Sequence, residues 1–84
     1  MDLNKQISRG QQAKDILENP LLQDSLKAIR NKLDIEWKNS PLRDVEGREK
    51  IFFLVKAIDE FEAMLISEME TGKLASEQDR KSVV

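Results

Sequence analysis

The chain's only two prolines, Pro20 and Pro41, bracket an uninterrupted amphipathic segment, and this arrangement restricts the fold more than any other feature. Within it Leu22, Leu26, Ile29, Leu33 and Trp37 recur at spacings of 4, 3, 4 and 4, the period that keeps one face of an α-helix apolar. Leu21, Ala28 and Ile35 widen that face. Asn19 is a good N-cap, and Pro20 suits the first helical position, where a missing N–H costs nothing. Pro41 disfavours the α conformation in Ser40, so the pattern predicts a helix over 20–38.

The same period returns in Ile51, Leu54, Ile58, Phe61, Leu65 and Met69, predicting a longer helix over 44–71. Asp44 is its expected N-cap, with Glu46 and Glu49 near the positive end of the helix dipole. Gly72 is expected to close it in the left-handed conformation. Upstream, Ser8 and Gln11 have the form of a capping box, and a short helix over 9–18 would carry Ala13, Ile16 and Leu17. The expected architecture is all-α: an antiparallel helical hairpin with a short N-terminal helix. It forms a single domain over 1–75, followed by a flexible polar tail over 76–84.

Apolar residues make up 39% of the chain and charged residues 36%, yet 14 Lys and Arg against 16 Asp and Glu leave a net charge of only −2. A disordered chain combines low hydrophobicity with a large net charge, so this one is expected to fold. The balance argues against a protein that coats nucleic acid, which needs a cationic surplus to displace counterions. Without cysteine there are no disulfides and no thiolate metal sites. The longest apolar run, Ile51 to Val55, is far short of the ~20 residues that cross a bilayer. The expected setting is a reducing compartment, or a particle assembled in one.

Helix three is apolar on more than one side. In Ile51-Phe-Phe-Leu-Val-Lys-Ala-Ile58 only Lys56 is polar. If Ile51, Leu54 and Ile58 face helix two, then Phe52, Phe53 and Val55 point away from it. A compact three-helix monomer leaves them poorly covered, whereas a homo-oligomeric bundle covers them. Phe52, Phe53 and Val55 are therefore the expected oligomer interface.

The catalytic inventory is thin: no His, Cys or Tyr, and no Gly-rich phosphate loop. Asp59, Glu60, Glu62, Glu68 and Glu70 crowd the far half of helix three, but they alternate with the apolar stripe and lack the His partners of a dimetal bundle site. The expectation is a protein that is not an enzyme and has no cofactor and no metal. The turn between helices two and three gathers Trp37, Arg43 and Arg48 beside a helix N-terminus, a combination suited to a partner protein or an anion. Pairing with Glu36, Asp44 and Glu46 is the ordinary alternative.

The stretch Trp37-Lys-Asn-Ser-Pro-Leu-Arg-Asp-Val-Glu-Gly-Arg-Glu-Lys50, then Glu70-Thr-Gly-Lys-Leu-Ala75, resembles a group of short proteins encoded by tailed bacteriophages. Arg9-Gly-Gln-Gln-Ala13 and the Leu-x-x-Pro-Leu element at Leu17 to Leu21 extend the resemblance over residues 8 to 75. It implies a phage gene of a kind often found near head and packaging genes, and no site residues. The resulting expectation is a small virion-associated or assembly-related interaction protein, located in the virion or host cytoplasm and contacting a phage structural protein. The alternative is an inhibitor, or a protein that sequesters a nucleotide signal, directed at a host enzyme or defence system.

Overall fold

A computed structural model of the chain describes residues 2–82. Three helices are present and no strand is found among the described residues: α1 (Leu3–Leu17), α2 (Pro20–Asn39) and α3 (Val45–Ser82). Local rules account for most of the boundaries. The Asn19 side chain accepts hydrogen bonds from the N–H groups of Leu21 (2.9 Å) and Leu22 (3.2 Å), and Pro20 opens α2. Asp44 Oδ1 accepts from Gly47 N at 3.0 Å, capping α3 where the sequence places the cap.

Two boundaries differ from expectation. The first helix begins at Leu3, not near Arg9, with Asp2 Oδ1 accepting from Asn4 N at 3.0 Å. Ser8 lies inside the helix, and its hydroxyl accepts from Gln12 Nε2, so it is no capping box. The last helix does not stop at Thr71. Gly72 lies inside it without a positive φ, and helix continues to Ser82 through most of the segment expected to be a flexible tail. Val83 and Val84 lie outside the described residues.

The reason is packing between α1 and α3. A Cβ added to Gly10 would lie 2.6 Å from the Cα of Gly72, and one added to Gly72 would lie 2.6 Å from the Cα of Gly10. Here the two backbones nearly touch, which only glycine permits. Ala13 and Ala75, each three residues beyond a glycine, are buried in the same seam. Arg9 adds a two-pronged contact to Glu68, at 2.9 and 3.1 Å. Gly72 is thus a packing residue rather than a helix stop, and the helix beyond it persists because α1 lies against it.

The second seam joins α2 to the first half of α3. Leu26 and Leu33 are buried there. Trp37 meets Arg48 near the turn, while Arg30 reaches Asp59 and Glu62 further along, so the two helices run in opposite senses. By the same logic α1 opposes the second half of α3: Gln6 lies by Gly72, and Arg9 by Glu68. The helices α1 and α2 therefore follow one another along a single 38-residue partner, with a break at Glu18 and Asn19.

The product is long and thin, 63 × 24 × 14 Å. Its Cα radius of gyration is 18.1 Å, where a compact 84-residue domain would have about 12 Å. Accessible surface is 6922 Å², against about 5,100 Å² expected for a compact monomer of this mass. Among the described residues the only buried hydrophobic side chains are Ala13, Leu26, Leu33 and Ala75. One layer of helices has been built, and a layer has two faces to cover.

Candidate interaction surfaces

The α2–α3 seam is flanked by two grooves. At 3.6 residues per turn, Leu22 and Ile29 fall on one side of the Leu26–Leu33 line, and Arg30 and Trp37 on the other. The first groove is lined by Leu22, Ile29, Leu54, Ala57 and Phe61, with Leu26 and Leu33 at its floor, and holds about 690 Å³. Only two charged side chains, Lys32 and Glu36, line it, and neither forms an ion pair among the described residues. A smaller hollow formed by Ile16, Asn19, Leu21, Leu22 and Ser25 continues it past the α1–α2 break.

The second groove, about 290 Å³, has a different character. Trp37, Ile51, Phe52 and Val55 line it, together with Arg30 and Asp34. Arg30 spans the helices beside it, with Nη1 donating to Asp59 Oδ1 at 2.8 Å and Nη2 to Glu62 Oε1 at 2.5 Å. The hydrogen bond to Glu62, then that to Asp59, raises the Arg30 pKa above its ordinary value. This side of the seam is closed by ions. The first side is apolar apart from Ser25, Lys32 and Glu36.

The residues expected at the oligomer interface do not all line one groove. Phe52 and Val55 line the second groove, whereas Phe53 lines neither groove and is 67% exposed. The Phe52 and Phe53 rings meet edge to face with centroids 6.2 Å apart, and Lys56 Nζ lies 5.4 Å from the Phe52 centroid. The larger of the two grooves is lined by Leu54 and Phe61. Both belong to the stripe that the helical period assigns to the α2 seam, and each remains nearly half exposed because α2 covers only one flank of it.

At the turn, two of the three expected residues come together. The Arg48 guanidinium carbon lies 4.0 Å from the Trp37 ring centroid, and Nη1 donates to Ser40 Oγ at 3.1 Å. Ser40 Oγ in turn donates to the Trp37 carbonyl at 2.6 Å. Arg48 is thus occupied in holding the turn, and it makes no ion pair with Glu36, Asp44 or Glu46 among the described residues. Arg43 joins neither residue and is exposed. What accompanies Trp37 and Arg48 is a shallow apolar hollow with Leu42, Val45 and Phe52. Leu42 is 85% exposed. Its signal in the sequence is a large apolar side chain in a Pro-containing turn with no stripe to join.

The acidic half of α3 is divided among interhelical contacts. Asp59 and Glu62 bind Arg30 of α2, and Glu68 binds Arg9 of α1, leaving Glu60 and Glu70 exposed. No three Asp or Glu side chains converge in a metal-binding group among the described residues. No described helix is long and apolar enough to cross a membrane. No family model, curated protein or solved structure matches the chain.

Proposed function

We propose that the chain is a small helical interaction protein that catalyses nothing and acts by protein–protein contact as a homo-oligomer. The observation that carries this reading is the amount of apolar surface left uncovered. Among the described residues fourteen large hydrophobic side chains are exposed while only four hydrophobic residues are buried, and exposed apolar patches of this extent mark interfaces. The turn, with Trp37, Leu42 and Phe52 around the Arg48 guanidinium, is the surface we assign to a different protein. Aromatic and arginine anchors in a shallow apolar hollow are the composition of interface hot spots. The resemblance to short phage proteins makes a phage structural protein the partner we favour, with the chain serving virion assembly.

The test of the oligomer is the concentration dependence of thermal unfolding. An assembly that folds as it associates is stabilised by mass action, so its melting temperature rises with protein concentration. A melting temperature constant from low to high micromolar would refute the homo-oligomer. The virion role is tested by mass spectrometry of purified particles of the source phage, where absence of the chain would refute it.

A further inference from the structure

The proposed homo-oligomer leaves open which surface is shared, and the surface area and the layout of charge answer this. We infer that the groove between α2 and α3 lined by Leu22, Ile29, Leu54 and Phe61 is the seat of one second copy of this chain, placed face to face as a second helical layer.

The area fits. The chain exposes 6922 Å², about 1,800 Å² more than a compact monomer of its mass. A permanent dimer buries about 1,000–2,500 Å² on each partner, and a standard transient one about 800 Å². The excess therefore matches what one obligate copy covers and exceeds what a transient partner covers. Thickness agrees with area. The chain is 14 Å in its thinnest dimension, one helix layer, and a stable core needs two.

Charge selects the face. On the opposite side of the seam Arg30 with Asp59 and Glu62, and Asp34, would each be desolvated by a closely packed layer. On the proposed side the lining is apolar, apart from Ser25 and the two groove charges. Those charges, Lys32 and Glu36, are of opposite sign and form no ion pair among the described residues. A twofold-related pair presents the same patch on both members. A patch with one cation and one anion is compatible with its own image, whereas a patch of one sign would repel it. Phe61 and Ile29, facing each other across the groove, are the expected anchors.

This inference rests on the oligomer reading, and light scattering coupled to size exclusion separates the two. At tens of micromolar the wild type is expected at twice the 9.7 kDa chain mass. Phe61→Glu and Ile29→Glu should each return the chain to 9.7 kDa, whereas Phe53→Glu, outside the groove, should leave the dimer intact. Ile29→Gln, which adds no charge and keeps a good helix former, should weaken dimerisation at least tenfold while helicity in circular dichroism is retained. A monomeric wild type would refute the oligomer reading itself. An oligomeric wild type that survives Phe61→Glu and Ile29→Gln would overturn the groove assignment alone. So would one that dissociates with Phe53→Glu. A wild-type mass above two chains would overturn the two-copy stoichiometry.

Discussion

Adding one methyl group at Gly10 tests the seam that fixes the length of α1 and α3. The Cβ of Gly10→Ala would sit 2.6 Å from the Cα of Gly72 and 3.1 Å from the Glu68 carbonyl oxygen, both backbone atoms. Ordinary contact begins at 3.4 Å, so the helices must separate by about 0.8 Å along their closest stretch. A gap of that size forfeits roughly a quarter to a half of each dispersion contact across it. Overpacking of this kind costs about 1–3 kcal/mol, while alanine in place of a helical glycine returns about 1 kcal/mol. The balance is a loss of about 1 kcal/mol, because no flexible side chain is available to yield. For a domain of this size that lowers the melting temperature by about 4–8 °C. Circular dichroism melts at matched protein concentration measure it, and amide exchange should show the loss concentrated in α1 and in residues 68–76. Gly72→Ala should behave alike, with a Cβ 2.8 Å from the Gln6 carbonyl. The two substitutions open one gap, so their costs should be non-additive. A rise in melting temperature for Gly10→Ala would mean that helix propensity prevails, and would refute the tight seam.

Two further predictions concern the ends of α3. Arg48→Glu should destabilise the chain by about 1–2 kcal/mol, since it removes the contact over Trp37 and the bond to Ser40 and leaves a carboxylate beside the ring. Arg43→Glu should shift stability by less than about 0.5 kcal/mol, and equal effects in thermal melts would show that the turn is not organised around Arg48. Truncation after Gly72 removes the buried Ala75 and the turn that meets Ile7, so proteolysis should then find α1 exposed. An unchanged digestion pattern would indicate that the helix beyond Gly72 contributes nothing to the packing of α1.

The all-helical class and the start of α2 and α3 were legible in the sequence because short-range rules decide them. Asn19-Pro20 and Asp44 act through hydrogen bonds to N–H groups two or three residues away. Treating Gly72 only as a helix stop hides the seam between α1 and α3. Counting Gly10 as an apolar position completes a stripe of Leu3, Ile7, Gly10 and Leu17, which reaches back to the true start of α1. The matching Gly10-x-x-Ala13 and Gly72-x-x-Ala75 spacings were the visible sign of two helices that approach closely. Arg30 was hidden for a different reason. Its partners lie 29 and 32 residues away, and only the opposed course of α2 and α3 brings them within reach. The apolar excess of α3 was legible, but its allocation was not. Which flank of the stripe stays open depends on where α2 lies, and that leaves Leu54 and Phe61 beside an open groove and turns Phe53 outward.

The central claim is that a second layer of helices covers the groove between α2 and α3. Small-angle X-ray scattering of the wild type tests it most directly, because forward intensity reports mass while the curve reports shape. The account predicts a mass of twice the 9.7 kDa chain and a particle about two helix layers thick, little longer than the 63 Å of one chain. A mass of 9.7 kDa with a radius of gyration close to 18.1 Å would contradict it.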